Sequence, residues 1–358
     1  MAARIHVVGA GPSGSIAAIS AIRNGADVVI SEEHGRSGIP ENCSGLFSID
    51  GLRSLSQFLR HDDLVINRIR GADIHFAGEK ISIRRKSPVA YVCDRSRIDR
   101  ALIEKASDEG AQVRYNERIS GRFHSDNIIG ADGPLSSVAR HFSFPRIPCY
   151  AATLQARIPY RSQENDIVEL FFSNHDFPGF FAWVIPHDER TAEFGVGVEV
   201  PNRALDAWQR LLNRKGVESQ VTPKGAAIPL NVRSQTAKQV GKQSVLLVGD
   251  AAGQVKSTTG GGVIFGGNCA AIAGRHFDDP LRYELAWRFR YGPDLAMHKW
   301  LHDHLASLSD RDMAALGRRL KRMDMEGYLS SQGHMDKPSR MLKPDLLAHM
   351  LKNIAGIV

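Results

Sequence analysis

A glycine-rich turn near the beginning of the chain is the first group of residues whose types and spacing indicate chemistry. It reads Gly9-Ala10-Gly11-Pro12-Ser13-Gly14, which fits the pattern G-x-G-x-x-G. The turn follows an apolar β run, Ile5–Val8, and leads into an apolar helix. Glycines at this spacing permit a tight bend and let a pyrophosphate approach the backbone, while the helix N-terminus offers free N–H groups. The turn therefore predicts a phosphate-binding site.

Two acidic residues follow the next β run. Glu32 and Glu33 come just after Asp27–Ile30. A carboxylate at this point accepts a hydrogen bond from a ribose hydroxyl of an adenine dinucleotide. With the glycine turn, it predicts a dinucleotide-binding βαβ unit in which Glu32 is the ribose ligand and Glu33 lies beside it.

Two later segments also place a carboxylate just past a predicted strand. Ile128–Gly133 contains Asp132, and Val248–Gly253 contains Gly249 and Asp250. Taken singly, each could equally be a simple turn. The sequence contains no second G-x-G-x-x-G and therefore no dedicated nicotinamide-nucleotide domain.

In this order, the three motifs resemble the FAD-binding fold of the glutathione-reductase type, in its aromatic-hydroxylase branch. The resemblance implies that Asp132 contacts FAD and that Asp250 bonds its ribityl chain. It also implies that Gly260, Gly261 and Gly262 line the isoalloxazine, with the helix from Val263 directing its N-terminus at the ring. Arg95 matches the arginine at the start of a helix in the same branch. The alternative for Arg95 is a surface salt bridge.

Two further motifs narrow the resemblance. Pro40–Gly45 fits P-x-x-C-x-G, and Phe181–Pro186 followed by Gly195-Val196-Gly197 is similar to (Y/F)-x-W-x-F-P-(x7–8)-G-x-G. These are signatures of the geranylgeranyl reductase family, which includes the digeranylgeranylglycerophospholipid reductases. The resemblance covers roughly residues 1–275. The chain departs from the family at Ile185, where Phe is favoured, and at Ser257, where Pro is common.

The family resemblance implies an FAD-dependent oxidoreductase that hydrogenates isoprenoid C=C bonds of geranylgeranyl chains in membrane lipid precursors. Cys43 and Trp183 would stand near the reacting alkene, with Cys43 and Ser44 also beside the flavin. Phe181, Trp183 and Pro186 would line the substrate. The competing interpretations are a small buried residue for Cys43 and ordinary sheet core for the aromatic residues.

Two other classes of function stay open at this point. One is a flavin monooxygenase or a quinone-tail reductase. The other is a flavoprotein that passes electrons to a partner without bond chemistry. The electron donor is also open between NADPH and a ferredoxin-like protein.

Composition excludes several classes of protein. The chain has 358 residues, a net charge of +7 and 42% hydrophobic residues, as in a globular protein of more than one domain. No run interleaves basic and aromatic residues, so we expect no nucleic-acid partner. Four cysteines without a C-x-x-C pair predict reduced thiols and no zinc. We expect no metal site; His298 and His302, four residues apart on a predicted helix, are interpreted as a solvated face.

The predicted elements give an α/β fold with an inserted β-rich block and a helical C-terminal region. The uncharged, glycine-rich stretches Ile5–Ile22 and Ser257–Gly274 are interpreted as buried loop–helix units rather than membrane spans. We expect the following division: an FAD-binding domain at 1–75, 92–148 and 242–280, an antiparallel β-rich substrate domain at 76–91 and 149–241, and helices at 281–358.

The C-terminal segment Pro344–Val358 is amphipathic. It would dock on a membrane surface, on the protein body or on a second copy. We expect a cytoplasmic protein, peripheral on the inner face of the cell membrane.

Overall fold

The computed structural model describes residues 2–39, 41, 43–336 and 339. Its strands are β1 (Arg4–Val8), β2 (Asp27–Ser31), β3 (Leu46–Ser48), β4 (Val65–Ile69), β5 (Gly71–Phe76), β6 (Glu79–Arg84), β7 (Ala90–Cys93), β8 (Gln112–Arg114), β9 (Asn127–Gly130), β10 (Tyr150–Pro159), β11 (Ile167–Phe172), β12 (Ala182–Pro186), β13 (Thr191–Glu199), β14 (Lys224–Pro229), β15 (Ala237–Val240) and β16 (Gln243–Leu247). Its helices are α1 (Pro12–Ile22), α2 (Ile49–Ser54), α3 (Arg95–Asp108), α4 (Ser137–His141), α5 (Ala204–Lys215), α6 (Val263–Arg275), α7 (Pro280–Ser307), α8 (Asp310–Arg322) and α9 (Met325–Gln332).

A six-stranded sheet in the order β15-β16-β9-β1-β2-β8 carries the glycine turn. Its neighbouring strands run parallel, apart from the β15–β16 pair. Val7 and Ile30 are fully buried, as expected for a parallel sheet covered on both faces. Because parallel strands end at one edge, the glycine turn, Glu32, Asp132 and Asp250 all follow strands that end at the same edge.

Helices α1 and α6 lie against each other, and glycines on α6 allow the close approach. A Cβ on Gly267 would lie 2.9 Å from the Ile16 side chain, and one on Gly274 would collide with the Ala17 carbonyl. Most of α6 is buried, as predicted for Ser257–Gly274. Within the described residues, no helix is both long and apolar enough to cross a membrane.

The β-rich block forms a seven-stranded sheet in the order β14-β10-β13-β12-β11-β5-β6. Its pairs are antiparallel except for β11 and β5, which run parallel. One face packs against α5, and Phe194, Val196 and Trp208 belong to the core between them. The opposite face packs against the small sheet β3-β7-β4. Because β5 begins at Gly71, this sheet takes in part of the stretch 1–75 assigned to the cofactor domain, and the domain boundaries remain predictions.

The chain after Asp279 is helical as far as Gln332. Helix α8 packs on β5 and β6 through Met313. The side chains of His298 and His302 on α7 are only 4% and 5% exposed, so the interpretation of a solvated helix face is wrong. The segment Pro344–Val358, predicted to be amphipathic, lies outside the described residues.

Candidate active site

The glycine turn leaves open space in front of the N-terminus of α1. Gly9 has a φ of +102°, and a Cβ there would collide with the Ala131 carbonyl; a Cβ on Gly14 would collide with the Gly9 carbonyl. A Cβ on Gly11 would meet nothing within 4 Å. The fold itself therefore requires Gly9 and Gly14, whereas Gly11 leaves room for a ligand to approach the backbone. No side chain caps the first turn of α1, so its N–H groups stay available.

Glu32 is buried and joins the two halves of the predicted dinucleotide site. Its Oε2 atom accepts a hydrogen bond of 2.8 Å from the Ala10 N–H, inside the glycine turn. Its Oε1 atom accepts one of 3.0 Å from the His34 N–H. Glu33 is exposed and lies 3.5 Å from Arg118. Glu32 therefore lies at the turn, and Glu33 points toward a surface arginine.

Arg95 begins α3 and forms a bidentate ion pair with Asp99, at 2.7 and 3.0 Å. The two side chains are 17% and 7% exposed, so this salt bridge is not the surface pair considered as the alternative. Burial lowers the pKa of Arg95, but Asp99 and the Cys43 thiol beside it outweigh burial and raise it overall. Arg95 therefore stays charged, next to the loop that carries Cys43.

The loop with Cys43 and Ser44 is held against β7. The Cys93 N–H donates to the Gly45 carbonyl at 2.8 Å, and Gly45 has a φ of +70°. Burial, with a smaller contribution from Cys43, raises the pKa of Cys93 to about 12. Cys93 is thus an inert thiol, whereas Cys43 is only partly buried and lies beside a guanidinium.

Asp250 lies at the carboxyl edge with an unengaged carboxylate. Burial raises its pKa, against the opposing effect of Arg95. Gly249, with a φ of +61°, packs against Ser13 of the glycine turn, and a Cβ on Gly262 would lie 2.7 Å from Asp250 Oδ1. Within the described residues its carboxylate accepts no side-chain or backbone hydrogen bond, so it is free to accept one from a ligand hydroxyl.

Asp132 has a local partner. Its Oδ2 atom accepts from the Ser137 N–H at 2.6 Å and from the Val138 N–H at 3.1 Å, at the start of α4. Its role as an FAD ligand stays a prediction.

The glycine-rich loop, which includes Gly260, Gly261 and Gly262, leads directly into the first turn of α6. Gly260 has a φ of +71°, and no side chain caps α6 at Gly262. No capping side chain therefore bonds the first N–H groups of α6, which begin at Val263. Partial positive charge accumulates at this end of the helix. Ser257, a departure from the family pattern, donates to the Leu230 carbonyl at 2.9 Å and so fixes the loop.

A buried polar cluster under this loop was not predicted. Lys256 Nζ lies 2.6 Å from Asp336, which also accepts from the Ser48 hydroxyl. His298 Nδ1 lies 2.7 Å from Thr258 Oγ1. No local sequence pattern predicts this cluster, because the residues that pair in it lie far apart along the chain.

Aromatic rings form a wall on the seven-stranded sheet next to the loop. A Cβ on Gly195 would collide with the Trp183 indole, and one on Gly197 with the Phe180 ring. The G-x-G motif therefore makes room for two rings. The Phe181 ring lies 4.6 Å from Phe180 and 5.4 Å from Trp183 between centroids.

The aromatic wall reaches the glycine-rich loop. A Cβ on Gly260 would lie 3.6 Å from Phe180 Cζ. Pro186, also buried, accepts at its carbonyl from the Asn67 amide at 2.9 Å, which anchors the end of β12. The structure thus brings the glycine-rich loop, predicted to line the flavin, next to the aromatic wall, whose Phe181 and Trp183 are predicted to line the substrate.

His6, Glu117 and His124 also cluster closely enough to hold a metal ion. Both ring nitrogens of His6 are already engaged, at 2.8 Å from Ser31 Oγ and at 3.1 Å from the His124 N–H. These bonds favour a structural network over a metal site.

Comparison with known proteins agrees with this geometry. The FAD binding domain family matches residues 100–271. Residues 100–271 therefore resemble an FAD-binding domain, and the predicted fold class and the predicted cofactor, FAD, are confirmed. The match begins after the glycine turn and Glu32, and the roles of the glycine turn, Glu32 and Asp250 in holding FAD stay predictions.

Similar proteins extend over nearly the whole chain. A digeranylgeranylglycerophospholipid reductase of Methanothermobacter thermautotrophicus is 27% identical, covering 90% of this chain and 91% of its own. One from Methanosarcina acetivorans is 26% identical, covering 90% and 89%. The predicted resemblance to geranylgeranyl reductases is confirmed.

Solved structures share the fold around the FAD-binding domain. A geranylgeranyl bacteriochlorophyll reductase-like protein from Thermoplasma acidophilum superposes with a TM-score of 0.79 at 19% identity, covering 99% of this chain and 96% of its own. A probable FAD-dependent monooxygenase from Pseudomonas aeruginosa gives 0.64 at 17% identity, covering 89% and 100%.

Proposed function

We propose that this protein is an FAD-dependent reductase that hydrogenates isoprenoid C=C bonds of geranylgeranyl chains in membrane lipid precursors. The observation that carries the proposal is the contact between the aromatic wall and the glycine-rich loop, where Phe180 approaches Gly260. It puts closely packed aromatic side chains, only 4–7% exposed, beside the position expected for the flavin ring, where we propose that the polyprenyl chain lies. The names of the similar archaeal proteins support the same activity.

Saturating a C=C bond takes one hydride and one proton, and reduced FAD, when bound, supplies the hydride. An unactivated alkene has no carbonyl to stabilise charge, so positioning and exclusion of water must contribute most of the rate. In this chain the rings of Phe181 and Trp183 supply an apolar wall. The Cys43 thiol, beside Arg95, is the group we assign to the proton side of the alkene.

The activity is testable under anaerobic conditions. The FAD-loaded protein is reduced with dithionite, mixed with a geranylgeranylated glycerophospholipid, and followed by flavin absorbance and lipid mass spectrometry. We expect flavin reoxidation and lipid products heavier by pairs of hydrogens. Cys43→Ser and Trp183→Phe should slow flavin reoxidation while the variants retain FAD. Cys149→Ser is the matched control, because the Cys149 thiol donates a hydrogen bond to Glu199.

A stable reduced flavin and unchanged lipid would contradict the proposal. Rapid turnover with oxygen and an aromatic substrate would then place the protein among the monooxygenases, and rapid electron transfer to a protein acceptor among the electron carriers. NADPH and a ferredoxin-like protein are the two donors we propose, and replacing dithionite by each in turn separates them.

We also propose that the protein works in the cytoplasm, peripherally on the inner face of the cell membrane. Helix α7 supports this with an exposed apolar face. Leu281, Leu285 and Phe289 follow one another at intervals of four residues, and Trp300 lies on the same side about three turns beyond Phe289. These residues are 69%, 61%, 90% and 66% exposed, so the part of the chain that the structure describes leaves this face uncovered along most of the helix.

A further inference from the structure

A cavity of about 670 Å³ lies beside the first turn of α6. It opens between α2, α6, α7 and the segment at Gly333–Asp336. Ile264 and Phe265, which follow the glycine-rich loop directly, line one of its walls. Its volume lies in the usual range of ligand pockets, about 300–1,000 Å³. The cavity therefore adjoins the predicted flavin site and has room for a further chemical group.

Arginines dominate the charged lining of this cavity. Of its two lining carboxylates, Asp50 is paired with Arg53 at 3.3 Å and Asp336 with Lys256 at 2.6 Å. In the part of the chain that the structure describes, Arg85 and Arg290 line the cavity with no carboxylate within 4.0 Å. The lining thus holds two positive charges that no acidic side chain balances.

One hydrogen-bond donor of Arg85, the buried Nη1 atom, lacks an acceptor among the described residues. The side chain also borders a second cavity of about 450 Å³, next to α9. A buried cationic donor without an acceptor destabilises the protein. A guanidinium presents its donors in a planar fork that matches the oxygens of a phosphate.

The neutral polar groups of the lining are already engaged. Asn268 Nδ2 donates to Ser54 Oγ and to the Ile264 carbonyl, and the Ser54 hydroxyl donates to the Gly51 carbonyl. The two arginines therefore remain the donors that a phosphate in this cavity would meet. Tyr291 adds an aromatic edge to the same wall.

We propose that this cavity binds the phosphate group of an organic ligand through Arg85 and Arg290. The choice of a phospholipid headgroup as that ligand rests on the proposed function, because the cavity adjoins the first turn of α6, where the alkene would be reduced. The 2′-phosphate of a nucleotide reductant is the other source of the same chemistry.

Equilibrium binding to the FAD-loaded protein tests the lipid source. The probes are digeranylgeranylglyceryl phosphate and the neutral alcohol digeranylgeranylglycerol, dispersed in the same detergent. We expect the wild type to bind the phosphate at least about ten-fold more tightly. Arg85→Gln and Arg290→Gln should remove most of this preference without changing the affinity for the alcohol. Arg203→Gln, at an exposed arginine before α5, is the matched control.

The nucleotide source is tested by the rate of flavin reduction by NADPH and by NADH. If Arg85→Gln slows reduction by NADPH alone, the phosphate belongs to the nucleotide. If neither the lipid nor the nucleotide arm depends on Arg85 or Arg290, the proposal is wrong. Arg290 is exposed, so Arg290→Gln keeps the test valid even if Arg85→Gln fails to fold.

The outcomes also separate this inference from the proposed function. A phosphate preference that depends on Arg85, with lipid chains left unreduced, would support the phosphate site and contradict the reductase activity. Reduced chains with no dependence on phosphate in either arm would support the reductase and overturn the site.

Discussion

At the scale of single residues, the buried carboxyl of Glu193 makes stability depend on pH. Glu193 lies in β13, is 6% exposed, and burial raises its pKa from 4.5 to about 7, against the opposing effect of Arg157. Between these two values the folded protein keeps a proton that the unfolded chain releases. Stability from this group is therefore full below about pH 4.5 and falls as pH rises toward 7.

Replacing the Glu193 carboxyl with an amide should remove this loss of stability at high pH. Glu193→Gln mimics the protonated form, so we expect the variant to gain about 2–3 kcal/mol over the wild type at pH 8 relative to pH 4.5. Urea unfolding at the two pH values measures the difference. Glu189→Gln, in the exposed turn before β13, should show no such gain. An equal gain at both pH values would contradict the explanation.

The residues predicted from sequence are those whose signal is local. Glu32 directly follows β2 and lies at the glycine turn. Asp250 comes just after β16 and directly follows Gly249. The ion pair between Lys256 and Asp336 joins positions 80 residues apart, and nothing near either residue identifies the other. The same limit explains the error at His298, whose burial depends on packing against the Thr258 loop.

At the scale of elements, the G-x-G motif of β13 makes room for the aromatic wall. Gly195→Ala would place a Cβ against the Trp183 indole, so the ring must move. We expect a loss of about 1–3 kcal/mol in the free energy of unfolding, together with slower flavin reoxidation by lipid. Thermal unfolding and the anaerobic assay measure the two effects.

Gly225→Ala is the control for this substitution within the same sheet. A Cβ there would meet Leu154 at an ordinary 3.6 Å, so its effect on stability should be small. If the two variants were equally stable, the motif would not act through packing against Trp183.

The sequence predicts the β-rich block as a whole, but it does not predict how the strands of the block pair. The parallel contact between β11 and β5 joins Ile167 to Gly71, and no turn between the two strands specifies it. The sequence does not predict the short strands β3, β4, β7, β14 and β15. Of these, β4, β14 and β15 carry few buried apolar residues to mark them. Long-range pairing is set by the whole core rather than by local pattern.

At the scale of the whole molecule, α7 exposes an apolar face that we propose meets a lipid surface. Four large apolar side chains on one helix face exceed what a surface helix of a monomer usually exposes. We propose a lipid surface as the partner because the proposed substrate is a membrane lipid precursor. Peripheral proteins bind such surfaces by burying apolar side chains at the headgroup boundary.

The double variant Phe289→Ser, Trp300→Ser should therefore lose membrane binding. We expect about a ten-fold weaker association with liposomes in a flotation assay, because each ring contributes apolar area that the bilayer buries. Leu205→Ser, at an exposed leucine on α5, should bind like the wild type. If the wild type is instead a dimer in solution that the double variant dissociates, the face is a contact between two copies. Unchanged flotation of the double variant would contradict the membrane proposal directly, since the most exposed apolar side chain of the helix would then contribute nothing.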